Sequence, residues 1–101
     1  LVPSDVHGEV IYLKSELHYL LVVTTAGKAL ILYSLKNAIE ELKTLNGLQT
    51  HRSFWVNIDH IKEIKKRGRE GQVATSTGDV IPVSRRKLTE LQTKYRAALS
   101  V

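Results

Sequence analysis

The sequence of 101 residues contains no cysteine and no methionine. Without cysteine the chain cannot form a disulfide, bind zinc through thiolates or use a thiol as a nucleophile, and its composition suits a reducing compartment. Because it lacks methionine and begins at Leu1, we expect it to be a domain excised from a longer protein, with a sensor or receiver region missing upstream.

Long hydrophobic runs are also absent. The longest mostly apolar run, Tyr19 to Val23, is far shorter than the roughly 20 residues of a membrane-spanning helix, and no secretory signal is present. A composition of 43% hydrophobic and 25% charged residues predicts one globular domain with a modest core. We assign residues 1–9 to a linker or arriving segment and residues 10–101 to the folded domain.

Acidic residues are scarce in the second half of the chain. Residues 1–51 hold four Lys against five acids, whereas residues 52–101 hold eleven Lys or Arg against five acids, so the whole net charge of +5 arises in the second half. Such asymmetry favours a polyanionic partner, most often a nucleic acid.

The first half predicts three strands and a helix. Strands are expected at Val10–Leu13, His18–Thr25 and Lys28–Tyr33, with a polar connection at 14–17 and a tight turn at 26–27. A helical period over Ser34–Asn46, with Ser34 as N-cap and Gly47 as a left-handed C-cap, predicts the first helix.

The second half predicts more strands and a second helix. A strand is expected over His51–Asn57, a weak strand over Ile61–Lys66, a loop between Gly68 and Gly71, and a hairpin over 72–75 and 80–83. A helix follows Ser84, with an apolar stripe that ends at Leu99. The fold class is therefore mainly β with two short helices.

The stretch from His51 to Asn57 has an unusual polar face. Alternation directs Phe54, Val56 and Ile58 one way. The opposite face then carries His51, Ser53, Trp55 and Asn57. These groups could build a site or form a buried polar network, and the requirement that buried polar groups find partners favours the network.

Two basic runs are candidate anion contacts. Arg85, Arg86 and Lys87 form the first turn of the second helix, where positive charge opposes the helix dipole by about 0.3–1 kcal/mol per residue. Either these side chains extend into solvent, or the arginines and free amides bind a phosphate or reach a base edge. The run from Lys65 to Arg69 is the densest positive charge, and we interpret it as a solvated tip that attracts a phosphate backbone at most.

Several motifs together resemble a known family. In chain order they are Ile11-Tyr12-Leu13, His18-Tyr19, Thr25-Ala26-Gly27, a helix led by Ser34-Leu35, His51-Arg52-Ser53-x-x-Val56-Asn57, Ile61 and Ile81-Pro82-Val83-Ser84-Arg85. From Val10 to Leu91 the chain resembles the LytTR family of bacterial DNA-binding domains, the output domains of response regulators in two-component systems. Some relatives with this style of motif, including a tryptophan at the position of Trp55, look like the cytoplasmic ends of membrane-anchored proteins.

The resemblance implies a fold of small antiparallel sheets in an elongated β-β-β arrangement. It implies sequence-specific binding of double-stranded DNA for transcription regulation, through loops that read successive major grooves of paired repeats, with two copies on the DNA. It implies no enzyme activity, no cofactor and no metal. It implies a location in the cytoplasm at the nucleoid, and it leaves open whether the full protein is tethered to the inner membrane.

The resemblance also assigns roles to residues. His18, Arg52 and Arg85 match the positions that contact bases, and arginine suits this role because it makes bidentate contacts with guanine. The positions expected to contact phosphate or support the interface are Lys14, Ser15, Lys65, Lys66, Arg67 and Arg86. The positions expected to form a supporting polar network are His51, Ser53 and Asn57.

Two other function classes remain open on sequence grounds. A metal-free nuclease could use His18, His51 and Lys62 with the arginines. A basic RNA- or peptide-binding module would need exposed aromatic platforms, but most aromatic residues here fall on apolar faces. Metal-dependent chemistry is disfavoured because Asp5, Asp59 and Asp79 are predicted in separate turns without ligand-like spacing.

Overall fold

In the computed structural model, residues 8–99 are described, so most of the expected linker segment 1–9 lies outside them. These residues form eight strands, two α-helices and one short 3-10 turn. The strands are β1 (Val10–Glu16), β2 (Tyr19–Thr24), β3 (Gly27–Ile31), β4 (Gly47–His51), β5 (Phe54–Asn57), β6 (Ile61–Arg67), β7 (Glu70–Thr75) and β8 (Val80–Val83). The helices are α1 (Leu35–Glu41) and α2 (Arg85–Leu99), and the 3-10 turn spans Ile58–His60.

The strands form two antiparallel sheets. The first sheet has the order β3-β2-β1-β5-β4 and the second has the order β6-β7-β8. The prediction of a mainly β fold with antiparallel sheets and two helices is therefore confirmed. The described chain measures 36 × 30 × 24 Å along its principal axes.

The first sheet is covered on both faces. One face packs on α1 through a cluster that includes Leu13, Leu20 and Trp55. The other face packs on the second sheet and α2 through a cluster that includes Val56 and Leu91. Because β5 lies between β1 and β4 in this central sheet, both of its faces are buried.

The first helix is shorter than predicted. Ser34 caps it as expected, since its Oγ accepts a hydrogen bond from the amide of Asn37 at 3.1 Å, but the helix ends at Glu41 and not at Asn46. Gly47 is not a C-cap: it begins β4, a strand that the sequence analysis missed. A Cβ on Gly47 would lie 2.0 Å from Cζ2 of Trp55, so this position requires glycine for the approach of the indole ring.

The polar stretch from His51 to Asn57 is not one strand. The chain reverses at 52–53, and His51 at the end of β4 pairs with Phe54 at the start of β5. Beyond this turn Trp55, Val56 and Asn57 are all buried, and Trp55 is 3% exposed, so the predicted polar face is wrong. The alternation of side chains along the sequence cannot reveal the burial of β5, because that burial depends on the layers that pack on both of its faces.

Two other boundaries differ from the sequence prediction, and one predicted core residue is exposed. The expected polar connection at 14–17 is largely strand, because Lys14 pairs with Leu21 on one side and with Phe54 on the other. The loop predicted between Gly68 and Gly71 is only a two-residue turn, since Glu70 already pairs with Arg67. The second helix begins after Ser84 as predicted, but its last stripe residue, Leu99, is exposed.

Candidate nucleic-acid interface

Four connections lie at one end of the two sheets. They are the β1–β2 turn at 17–18, the β4–β5 turn at 52–53, the β6–β7 turn at 68–69 and the β8–α2 junction at 84–85, and together we name them the basic end. The amide of Ser15 donates to the carbonyl of Ser53 at 2.8 Å, and the amide of Ser84 donates to the carbonyl of Thr50 at 2.8 Å. These two bonds fix the first, second and fourth connections relative to one another.

The β1–β2 turn presents His18 to solvent. Behind it, Lys14 forms an ion pair with Glu16 at 3.1 Å and lies 5.8 Å from the ring centroid of Phe54. Ser15 is half-buried and holds the turn against the β4–β5 turn through its amide. The ion pair offsets the acidic charge of Glu16, which would otherwise repel a polyanion.

The β4–β5 turn presents Arg52 on a supported backbone. The carbonyl of Arg52 accepts a hydrogen bond from Nε2 of Gln49 at 3.5 Å. Nδ1 of His51 accepts one from the amide of Ser53 at 3.2 Å, and the His51 ring packs edge-on against Phe54 with centroids 6.0 Å apart. The imidazole therefore orders the turn, while the guanidinium of Arg52 is left exposed.

The β8–α2 junction adds further cations beside Arg52. Arg85 and Arg86 are exposed in the first turn of α2, which contains no acidic residue. Shallow depressions next to Arg52 are shared with Ser84, Arg86 and Lys87, so the second and fourth connections form a continuous basic surface. Within residues 8–99, neither Arg52 nor Arg85 nor Arg86 forms an ion pair.

The β6–β7 hairpin carries its cations to the same end. Lys66 pairs with Gly71, which in turn pairs with Val83, the residue before the junction. Two strand spacings of about 4.8 Å therefore separate the end of β6 from the end of β8. Lys65, Lys66 and Arg67 are exposed there, and Lys65 lies 3.9 Å from Glu63.

One predicted network residue lies elsewhere. Asn57 is buried at the far end of β5, where its Nδ2 donates to the carbonyl of Val10 at 2.9 Å and its Oδ1 accepts from the amide of Asp59 at 3.1 Å. It connects β1 to the 3-10 turn and does not approach the basic end. Of the three expected network residues, only His51 and Ser53 are in direct contact.

The opposite end of the sheets carries acids, and we name it the acidic end. It comprises Glu9, the turn at 25–26, the 3-10 turn at 58–60 and the β7–β8 turn at 76–79. Nε2 of His60 contacts Oε2 of Glu9 at 2.6 Å, and Nδ1 contacts Oγ of Ser76 at 3.1 Å. Burial, together with the nearby carboxylate of Asp79, raises the pKa of Tyr12 to about 12.

The structure does not bring together the residues considered for a nuclease. His18 borders a depression lined by Leu17 and Leu32, whereas Lys62 borders a separate one lined by Tyr95 and Leu99. Across residues 8–99, no three His, Asp or Glu side chains cluster in a way that could hold a metal ion. Nor does any helix in that range have the length and apolar character needed to cross a membrane.

Two polar residues of this surface were not predicted from the sequence. Gln49 is exposed on β4 beside Arg52, and no local signal could identify it because β4 itself was not predicted. Lys87 was noted in the basic first turn but was not assigned to the interface; it lies next to Arg52 and pairs with Glu90 at 3.7 Å.

Comparison with known proteins gives a consistent result. The profile of the LytTr DNA-binding domain matches residues 7–96. The CO-responsive transcriptional regulator RcoM of Rhodospirillum rubrum is 32% identical over 85 residues, which cover 82% of this chain and 36% of that protein. The chain therefore spans about a third of the length of this relative.

A solved structure has the same fold. The LytTr DNA-binding domain of a putative methyl-accepting/DNA response regulator from Bacillus cereus aligns with a TM-score of 0.71 and 27% identity. The alignment covers 92% of this chain and 84% of that one.

Proposed function

Because the chain belongs to the LytTR family of DNA-binding domains, a family of regulatory modules and not of enzymes, we propose that its basic end reads specific base pairs in double-stranded DNA. The observation that carries this proposal is the pair of 2.8 Å backbone hydrogen bonds that fix the β1–β2 turn, the β4–β5 turn and the β8–α2 junction side by side. Because these three connections are held on one rigid surface, they can contact consecutive parts of a duplex without a rearrangement of the domain.

In this proposal Arg52 and Arg85 are the principal base readers. Both guanidinium groups are exposed and free of ion pairs within the described residues, so both can make two parallel hydrogen bonds to O6 and N7 of guanine. A contact of this kind contributes about 1–3 kcal/mol of discrimination against another base. His18, on the neighbouring turn, can donate to or accept from a base edge with either ring nitrogen.

The remaining cations bind the phosphate backbone. Lys14, together with the uncharged Ser15, flanks the turn that carries His18, and Arg86 is next to Arg85. Lys65, Lys66 and Arg67 extend the positive surface along the β6–β7 hairpin. Phosphate contacts fix the position of the domain on the duplex and add salt-dependent affinity, but they carry no sequence information.

We further propose that two copies bind paired repeats. Loops of one copy enter two successive major grooves and contacts across the intervening minor groove lie between them. The 36 Å longest dimension of the domain is close to one helical turn of DNA, about 34–36 Å, which is the distance between successive major grooves and the spacing that we expect between the two copies.

The signal that controls binding is proposed to enter from a region outside this chain. That region would be a sensor or receiver module. The full protein would act at the nucleoid in the cytoplasm, either tethered to the inner membrane or without a tether. This proposal is supported by the length of the regulator from Rhodospirillum rubrum, because the part that aligns with this chain is only 36% of that protein.

Selection from a random duplex library tests the base readers directly. The domain and its Arg52→Ala and Arg85→Ala variants are each used to enrich duplexes at the same salt concentration. We expect a repeated motif, and we expect each variant to lose guanine preference at one position, with specific affinity reduced by about 5- to 150-fold.

The Arg67→Ala variant is the matched control for charge. It removes the same +1 charge from an exposed arginine on the same end, so it should weaken binding to every duplex and leave base preferences unchanged. If Arg52→Ala or Arg85→Ala behaves like Arg67→Ala, that arginine does not read a base. If the parent domain enriches no motif at all, the proposed function is wrong.

A further inference from the structure

Leu17 occupies a position in the β1–β2 turn that does not suit leucine. Glu16 pairs with Tyr19, so the turn consists of Leu17 and His18 alone. The φ angle of Leu17 is 55°, and within residues 8–99 it is the only residue other than glycine with a positive φ. Two-residue turns favour glycine, asparagine or aspartate at such positions, because a larger side chain is strained in the left-handed region.

Burial does not account for this leucine either. Its side chain is 96% exposed, more than any other large apolar residue of the described chain. A side chain that is strained in its backbone conformation and buries almost no area contributes nothing to the stability of the isolated domain.

The location of Leu17 suggests what it contacts. It precedes His18, and the hairpin that carries both is fixed to the Arg52 turn by the bond from Ser15 to Ser53. The adjacent carboxylate of Glu16 is offset by Lys14 at 3.1 Å, so the tip is an apolar knob without net negative charge. An apolar side chain beside groups that contact bases would face the base edges in the groove that those groups enter.

We propose that Leu17 is a specificity residue that contacts the C5 methyl group of a thymine in the major groove, next to the base pair read by His18. This inference rests on the proposed function. Thymine is the base that presents a methyl group in the major groove, and apolar contact with that methyl is a recognised form of direct readout. Leu17 is 96% exposed at the tip of the turn, so its side chain is open to such a methyl group.

A uracil substitution in the DNA tests the contact without changing the protein. Selection with the parent domain first identifies its preferred duplex; each thymine there is then replaced singly by deoxyuridine, which lacks only the methyl group. We expect one replacement to weaken binding about three- to fivefold, the value for losing one buried methyl contact. It should lie next to the position at which His18→Ala alters base preference.

Two variants assign the effect to Leu17. The Leu17→Asn variant suits the turn and removes the apolar contact, so it should bind the thymine and uracil duplexes equally and melt at the same temperature as the parent or higher. The control is Leu30→Asn on edge strand β3, where the side chain is 55% exposed, and this variant should keep the thymine preference.

Other outcomes would overturn the inference. If no uracil replacement weakens binding, or if Leu17→Asn retains the sensitivity to uracil, Leu17 does not contact a thymine methyl. If Leu17→Asn weakens binding to the thymine and uracil duplexes by the same factor, so that the parent's preference for thymine remains, the leucine contacts DNA without reading the methyl group. In each case the guanine preferences from Arg52 and Arg85 would persist, whereas failure of the proposed function would abolish them.

Discussion

The two ends of the sheets use charged side chains in opposite ways. At the acidic end the carboxylate of Asp79 accepts hydrogen bonds from the hydroxyls of Tyr12 at 3.1 Å and Thr77 at 3.2 Å, and lies 3.8 Å from Nζ of Lys28. At the basic end Arg52 and Arg85 have no such partner in the described chain. Polar groups that are satisfied internally hold the fold, and those that are not are available to a ligand.

The separation of charge also orients the molecule. A domain with cations at one end and acids at the other experiences a torque in the field of a polyanion, and under the proposed function this torque would turn the basic end towards DNA before contact. The acids connect segments of the fold, and under the proposed function their repulsion of DNA would also disfavour encounters in the wrong orientation. The variants below test whether fold and binding are separable along this axis.

The largest expected effect is on stability and comes from Asn57. Replacing it with alanine leaves the carbonyl of Val10 and the amide of Asp59 without their partners, and each unsatisfied group costs about 1–3 kcal/mol. We expect the free energy of unfolding, measured by urea titration, to fall by roughly 2–4 kcal/mol. Base preferences of the folded fraction should not change.

The Asn46→Ala variant is the control for this substitution. Asn46 is exposed, and its contact with Ile58 is made by the backbone carbonyl, which alanine keeps. Its unfolding free energy should therefore stay within about 0.5 kcal/mol of the parent value. If Asn57→Ala instead changed the selected DNA motif and left the free energy of unfolding unchanged, the assignment of stability to one end and DNA binding to the other would be wrong.

The parts of the fold that follow local rules were predictable from sequence. The hairpin of β2 and β3, and the helix starts after Ser34 and Ser84, depend on short-range patterns and caps. The strand β4 was missed because the role of Gly47 is set by the indole of Trp55, and that contact depends on the register of β4 with β5. No local pattern contains this information.

The candidate interface was likewise predictable only where the sequence itself carries the signal. The cations of the basic end were predicted because charge is visible in the sequence whatever the fold. The acidic end was not predicted, since His60 contacts Glu9 across 51 positions and Tyr12 contacts Asp79 across 67. The strain at Leu17 was also hidden, because the connection at 14–17 was expected to be longer than the two-residue turn that forms.

The salt dependence of DNA affinity should also distinguish the two ends, although the expected effect is smaller. Arg86→Ala removes a proposed phosphate contact, so the slope of log affinity against log salt concentration should decrease by about 0.9 in magnitude. Lys28→Ala removes the same charge at the acidic end and should leave the slope within error of the parent. Titration of one selected duplex at several salt concentrations measures both. Equal slopes for the two variants would mean that only net charge matters.

The smallest effect concerns pH and the acidic end alone. The pKa of Tyr12 is raised to about 12 in the folded protein, from an ordinary value of 10.0, because burial and Asp79 disfavour the phenolate. A raised pKa means that the fold favours the protonated hydroxyl, so this stabilisation is complete below pH 10 and is lost as pH rises towards 12.

The Tyr12→Phe variant isolates that contribution from the titration of lysines, which both proteins share. It removes one hydrogen bond to Asp79, so below pH 10 the variant should be less stable than the parent by about 1 kcal/mol. Urea unfolding at increasing pH should then show the two stabilities converging above pH 10. Because the hydroxyl lies at the acidic end, DNA affinity at neutral pH should be unchanged. A loss of affinity there would show that the acidic end is coupled to the basic end through β1.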